Sequence, residues 1–325
     1  MRLLDGARRS IHAAVYEVGP SYRWALVRAA ERGLRVRLVL DAHVSDGNAA
    51  TSRALAAAGA ECRVAGIGAD AAHGKLLIVD STVAVGTGNL IWRDAPRDRH
   101  LRFPPDAPLL AGTREWWVTA SRSRRLRRHA AEAFAAHWLT ATLPPPEWAS
   151  TARPGAPAIG TPAAQVAPKV VCASSRRLRL VTGGVAVGQM LELMVAGATR
   201  RVLVTVPYAH PSALPVRGVI GRMTEASSRG VECALLLGGV PDPADAERLA
   251  TLPFPVRRMD PARSTSGHAK GMVADVSVLV SSANWSVAGL GGNWEAALRV
   301  EHAGAAAYYA AAWRRDWETS LPLDV

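Results

Sequence analysis

Lysine is nearly missing from this chain: of 39 basic residues among 325, only Lys75, Lys169 and Lys270 are lysine and the rest are arginine. A compact ammonium kept against such a background marks its positions, because arginine serves as well or better for surface charge and ion pairs. Cysteine is equally scarce. Cys62, Cys172 and Cys233 stand far apart, with no C-x-x-C and no H-x3-H spacing, which argues against a structural zinc site and a disulfide framework. Free thiols suit a reducing compartment. No apolar run reaches the ~20 residues of a membrane-spanning helix. No Walker A sequence occurs, and Gly66-x-Gly68 lacks the third glycine of a dinucleotide loop, so no nucleotide cofactor is expected. Nor is a metal.

What is present is globular: 49% apolar and 20% charged residues, in a length that suits about two domain-sized units. The net charge is +12, split as +8 over residues 1–146 and +4 over the remainder. That excess favours an anionic partner, either nucleic acid or an acidic lipid surface; a generally arginine- and alanine-rich composition is the plainer source.

The chain repeats itself. Ala72-His73-Gly74-Lys75 runs into Leu76–Asp80 and then Gly86-Thr87-Gly88-Asn89. Gly267-His268-Ala269-Lys270 runs into Gly271–Asp275 and then Ser281-Ser282-Ala283-Asn284. The spacings are identical at an offset of 195 residues. The flanks repeat too. In the first half, hydrophobic patterning predicts strands at 10–18, 34–41 and 62–65, with helices at 22–32 and 48–58 closed by Gly33 and Gly59. The second half repeats this with strands at 201–206, 231–237 and 256–259 and helices at 216–229 and 243–251. Each half ends in a helix that runs into Leu-Pro, at 122–140 and 303–320. Alternating strands and helices predict α/β sheets with helices on their faces. Residues 144–168 hold seven prolines and read as a linker, giving lobes at 1–143 and 169–325. A helix-like stretch at 185–198 precedes the second repeat, and only Met1–Arg9 precedes the first. The first half therefore lacks a helix, or an upstream segment is missing, which leaves secretion open.

Two copies of H-x-K-x4-D, each followed by a small-residue turn and Asn, resemble the phospholipase D superfamily over nearly the whole chain. Residues alternating along a strand share a face, so each half can deliver an imidazole and an ammonium to one surface. The resemblance implies two lobes, each a mixed β-sheet flanked by helices, related by a pseudo-two-fold with the active site between them, and a chain active as a monomer. It also implies metal-independent phosphodiester chemistry. Lys75, Lys270, Asn89 and Asn284 would hold the phosphate oxygens. His73 would be the nucleophile that forms a phosphohistidine, and His268 the general acid and base, with the reverse assignment open. Glu115 and Glu295, in Gly-Thr-Arg-Glu-Trp and Gly-Asn-Trp-Glu, would fix the imidazole tautomers, or else be surface ion pairs. Asp80, Asp275, Thr87 and Ser282 would brace the strands and turns.

The other histidines have no motif partner and read as surface or packed residues. The tryptophans near the ends of the two halves read as core. Arg122, Arg124, Arg125, Arg127 and Arg128 on one helix form a solvated face or an anionic-lipid or nucleic-acid patch. The loop from Arg93 to Gly112 mixes arginine with apolar residues and is the expected seat of substrate choice. Thr205-Val206-Pro207-Tyr208 resembles the strand end of lipid-processing members such as cardiolipin synthases. The leading expectation is hydrolysis of a phospholipid phosphodiester, or transfer of its phosphatidyl group, by a cytoplasmic or peripheral membrane enzyme in contact with an anionic surface. The alternatives are a nuclease acting on DNA or RNA, and a non-catalytic binder of nucleic acid or acidic membrane.

Overall fold

The computed structural model describes residues 1–66, 70–91, 94, 110–148, 177–262 and 264–323. Residues 149–168 of the expected linker, Lys169, Cys172 and the arginine-rich loop apart from Asp94 and residues 110–112 lie outside them. In the first half, α1 (Arg2–Asp5), β1 (Ser10–Val15), α2 (Pro20–Glu31), β2 (Arg35–Asp41), α3 (Ser45–Ala57) and β3 (Glu61–Ala65) come first. They are followed by β4 (Lys75–Val79), β5 (Thr82–Gly86), β6 (Leu110–Arg114), β7 (Trp117–Ser121) and α4 (Arg124–Thr140). The second half runs β8 (Leu178–Thr182), α5 (Gly184–Ala196), β9 (Arg201–Val206), α6 (Leu214–Ser228), β10 (Glu232–Leu237), α7 (Pro243–Ala250), β11 (Val256–Arg258) and β12 (Ser264–Gly267). It ends with β13 (Gly271–Ala274), β14 (Ser277–Ser281), β15 (Ala296–Glu301), α8 (Ala303–Glu318) and β16 (Leu321–Pro322).

Each half builds a mixed sheet. The first has the order β3-β2-β1-β4-β5-β7, and the second β16-β11-β10-β9-β13-β14-β15-β8. In both, a parallel block meets an antiparallel one at the strand that follows the histidine motif: β4 runs antiparallel to β1, and β13 antiparallel to β9. Every residue of β4 and β13 is buried, as expected of central strands covered on both faces. One apolar core crosses from half to half. Leu76, Ile78, Val85 and Phe134 of the first belong to the same buried cluster as Leu203, Val273, Val280 and Trp313 of the second. Outer clusters lie under α1 and α2 on one side and under α5 and α6 on the other. The helices α4 and α8 are thus clamped between the sheets.

Several elements differ from the sequence reading. β1 ends at Val15, and α3 begins at Ser45, three residues early, because the Asn48 amide is spent inside: it donates to the Tyr16 and Asp41 carbonyls and accepts from Val18 N–H. The strands after the motifs start at Lys75 and Gly271, so His73 and His268 precede them rather than sharing a strand face with the lysines. The first half does carry a helix before its first strand, α1, of four residues. A parallel pair, β6 with β12, ties the halves together; its polar, glycine-containing segments carry no strand pattern. The chain stays packed on the first half as far as Trp148, whose carbonyl accepts from Arg53. No helix among the described residues is long and apolar enough to cross a membrane.

Asp80 and Asp275 close the β4–β5 and β13–β14 hairpins in left-handed conformation, with φ of 52° and 50°, which Asp tolerates better than most residues. The Asp80 carboxylate accepts from Arg8, Arg9 and Ser10 N–H, and that of Asp275 from Thr199, Arg200 and Arg201 N–H. Burial alone would raise both carboxyls, but these backbone donors hold them below their ordinary value. Asp275→Ala should cost about 1 kcal/mol, the scale of a lost cap at a solvated site. Because the folded value is depressed, the carboxylate's contribution is present above pH ~4 and is lost as pH falls through the folded value. Urea midpoints from pH 3 to 7 check this: the gap between native and variant should close at the acid end.

Candidate active site

The two histidine motifs meet where the halves touch, and each is completed by the other half. His73 Nδ1 lies 3.0 Å from Glu295 Oε1, and His268 Nδ1 lies 2.6 Å from Glu115 Oε1. Glu295 is completely buried, and the Glu115 side chain is 4% exposed. Each is held by the turn of its own half: Thr87 donates to Glu115 and Ser282 to Glu295. Thr113 Oγ1 donates a second bond to Glu115 at 2.9 Å, and Asn293 Nδ2 donates to Glu295 at 3.3 Å. Neither glutamate is a surface ion pair. A carboxylate on Nδ1 places the proton there and leaves Nε2 with its lone pair.

Lys75 and Lys270 are both fully buried. Each ammonium donates at 2.6 Å to the carbonyl of the histidine two residues before it. Burial lowers Lys75 to about 8, against the pull of Glu295 and Glu115. Burial lowers Lys270 to about 7, with repulsion from Lys75 adding to it and Glu115 opposing it. A bound phosphate diester would add a negative charge and raise both. Burial, followed by the Lys75 charge, lowers His73 despite Glu295, and Lys270 acts in the same direction. A neutral imidazole at His73 follows. Burial alone would raise Glu295, but His73, Lys75 and Ser282 hold it down. Glu115 is held down in the same way by His268, Lys270 and Thr87.

Asn89 and Asn284 follow the turns, and their amide oxygens are buried without a hydrogen-bond partner among the described residues. Unspent amide capacity beside two ammoniums suits a polar ligand. A tryptophan from each half lies on a glycine of the other half's motif segment. A Cβ on Gly74 would stand 2.0 Å from Trp294, and one on Gly271 would stand 2.2 Å from Trp116. Trp294 N–H donates to Ala71 and its ring stacks on His137 at 4.1 Å. Trp116, Trp138 and Trp313 are buried in the shared core.

The structure thus brings His73, Lys75, Asn89, Glu115, His268, Lys270, Asn284 and Glu295 to one place, with Thr87 and Ser282 behind the glutamates. Asp80 and Asp275 lie at the far ends of the central strands. Sequence reading missed several neighbours. Buried Asp41 accepts from Ala72 N–H at 2.6 Å and from His43, fixing the residue before His73. Tyr16 sets its ring edge-on to His73 at 4.9 Å. Thr113 and Asn293 sit two residues before their glutamates, a spacing visible in the repeat. Asp94 reaches the site from the long loop, with no counterpart in the second half to flag it.

A family model described as "Cardiolipin synthase, PLD-like domain" matches residues 1–99 and 191–317. No curated protein matches the chain. Among solved structures, phosphatidylserine synthase from Haemophilus influenzae Rd KW20 superposes with a TM-score of 0.67 at 14% identity, over 99% of this chain and 84% of that one. Polyphosphate kinase from Porphyromonas gingivalis superposes with a TM-score of 0.61 at 16% identity, over 96% of this chain but only 44% of the kinase. At such identities the likeness is one of fold.

Proposed function

Because the chain belongs to the phospholipase D superfamily, we propose that it is a metal-independent phosphodiesterase that cleaves a phospholipid headgroup ester or passes the phosphatidyl group to an alcohol. The observation that carries the reading is the crossed pairing: each imidazole has its distal nitrogen held by a buried carboxylate of the opposite half, beside two buried ammoniums. His73 Nε2 attacks phosphorus, a P–N bond forms, and the P–O bond to the headgroup breaks. The leaving oxygen takes a proton from His268. His268 then removes a proton from water or an acceptor alcohol, whose oxygen attacks phosphorus and frees His73. Splitting one displacement into two lowers each barrier. Lys75 and Lys270 neutralise the charge that grows on the non-bridging oxygens, so no metal is required. One chain supplies both imidazoles and is a complete catalytic unit.

The lipid reading rests on what surrounds this site. Leu214, Val240 and Val287 are 66–74% exposed, at the start of α6 and on two loops of the second half, in segments that are tied together beside Asn284. Tyr208, one of the tie points, bonds Asn284 and Ser286. His210 N–H donates to Trp285, Ala213 N–H to His210 and Gly239 N–H to Pro207. Exposed aliphatic side chains at the mouth of a polar site fit acyl chains or a bilayer surface. The described arginine cluster that the nuclease reading would use lies away from the site. Exposed Arg122, Arg124, Arg125, Arg127 and Arg128 follow the end of β7 that pairs with Thr82, a strand's length from the Gly86 end that leads to Asn89.

Vesicles of phosphatidylglycerol and phosphatidylcholine in EDTA should release headgroup, and ethanol should divert product to phosphatidylethanol. Leu214→Asp with Val240→Asp should cut vesicle turnover about tenfold while leaving a soluble short-chain diester unaffected. Cleavage of single-stranded DNA in EDTA with every lipid inert would give the function to the nuclease reading. Binding without turnover of any diester would give it to the binder.

A further inference from the structure

The two crossed pairs look equivalent, and they are not. Asp94 belongs to only one of them. Its carboxylate accepts from Asn89 N–H at 2.6 Å and lies 3.1 Å from Thr113 Oγ1. Thr113 Oγ1, with one proton to give, bridges that carboxylate and Glu115, 2.9 Å away, which bonds His268. Ligand atoms of Asp94, Glu115 and His268 all lie within 4.8 Å of one another, and Asp94 is 6% exposed. Two carboxylates, Glu115 and Asp94, thus stand within reach of His268, whereas His73 bonds one, Glu295, accompanied by the neutral amide of Asn293, and Asp41 beside it is engaged by Ala72 N–H and His43.

The asymmetry is built into the backbone on both sides. Five residues after Asn89 stands Asp94; five after Asn284 stands Gly289, where a Cβ would sit 2.2 Å from the Asn284 carbonyl. One residue before Asn89 stands Gly88, where a Cβ would press on the Asp94 Cβ at 2.8 Å and the Glu115 carboxyl carbon at 2.7 Å; one before Asn284 stands Ala283. The first half has cleared the room that the aspartate needs, and the second half has closed it. The halves differ at both positions, and both differences suit the placement of one extra carboxylate.

We propose that Asp94 is a positioning residue that breaks the symmetry of the two histidines, keeping the proton on His268 and so assigning it the acid and base work while His73 attacks. This deepens the phosphodiesterase reading and rests on it. The other charged and titratable groups facing His268 are common to the whole site and cannot make the distinction. Lys270 and Lys75 both act on His73 as well, and Glu295 is bound to it. Arg114, whose carbonyl accepts from His268 N–H, has its guanidinium on Asp316 of α8. Tyr22 of α2 flanks Asp94 and is pushed up to about 12, by burial first and by Asp94 second. Burial, and then Glu115, raises the Asp94 carboxyl itself, opposed by Asn89 N–H and His268. A negative charge near an imidazole favours its protonated form, commonly by a unit or more.

The test is Asp94→Asn, with Asp94→Ser as a second variant of smaller bulk, read in two ways. In ring-labelled protein without substrate, nitrogen NMR should show His268 losing its proton about one pH unit lower than in the native chain, and His73 unmoved. In turnover, the alkaline limb of kcat should move down by the same amount and the acid limb should stay. The readout is kcat because a bound diester keeps both lysines charged. If both histidines titrate as in the native chain while activity merely falls, Asp94 is only a brace and the proposal is overturned. It is equally overturned if His73 moves and His268 does not. The NMR arm needs no substrate, so a failure there is separable from failure of the phosphodiesterase reading, which would show as no turnover by native protein.

Discussion

His73→Ala should lower kcat by about 10⁵-fold on any diester, since a residue that forms the covalent bond has no substitute within the site. His268→Ala should fall as far on a substrate with an ordinary alcohol leaving group, but differently on an activated one. A nitrophenolate departs without a proton, so the first step survives while the second lacks its base. The variant should release about one equivalent of nitrophenol in a burst and then stop, with phosphate left on His73 Nε2. Protein denatured and digested at alkaline pH, where the acid-labile P–N bond survives, identifies the nitrogen. A burst from His73→Ala with phosphate on His268 would reverse the assignment; no burst and no adduct from either variant would remove the covalent route. The free Nε2 follows from Glu295 holding Nδ1 at 3.0 Å.

Glu295→Gln should be the next largest effect, about 10³-fold in kcat, although the side chain keeps its shape. The amide can donate its own hydrogen to Nδ1. The proton of His73 then sits on Nε2, the nitrogen that must attack, and the tautomer is wrong for the reaction. Glu295 is completely buried and also balances Lys75, so Glu295→Ala adds instability to inactivity by leaving an ammonium without its counter-charge. Gln separates the two consequences. Its melting temperature should stay within a few degrees of native while phosphoenzyme formation collapses, and activity within tenfold of native would show that the tautomer is set by something else. The residue acts on a histidine 222 positions away, in the other half of the repeat.

That distance marks where sequence reading ends. The repeat, the lobes' strand and helix order and the residue types of the site were legible because each depends on local rules: apolar periodicity, glycine at helix ends, small residues at turns. Gly33 and Gly59 do close helices with positive φ, as their positions suggest. What the local pattern misses are elements that owe their form to the opposite half. The β6–β12 ladder exists because two polar segments meet across the interface. The central strands begin only after the motif histidines because His268 N–H goes to the Arg114 carbonyl and Trp294 lies on Gly74. Asp94 was invisible for another reason: it carries meaning only as a departure from the repeat, and Gly289 looks like any loop glycine until a Cβ is tried there.

By itself, then, the sequence determined which side chains this protein has for chemistry and that they come in two sets, because spacing along a chain is a one-dimensional fact. Only the tertiary structure decided that the sets are exchanged, each carboxylate serving the imidazole of the other half, and that a further carboxylate, Asp94, stands beside only one pair. Those are consequences of two sheets packing through a shared apolar core, which fixes distances between residues that no spacing along the chain relates.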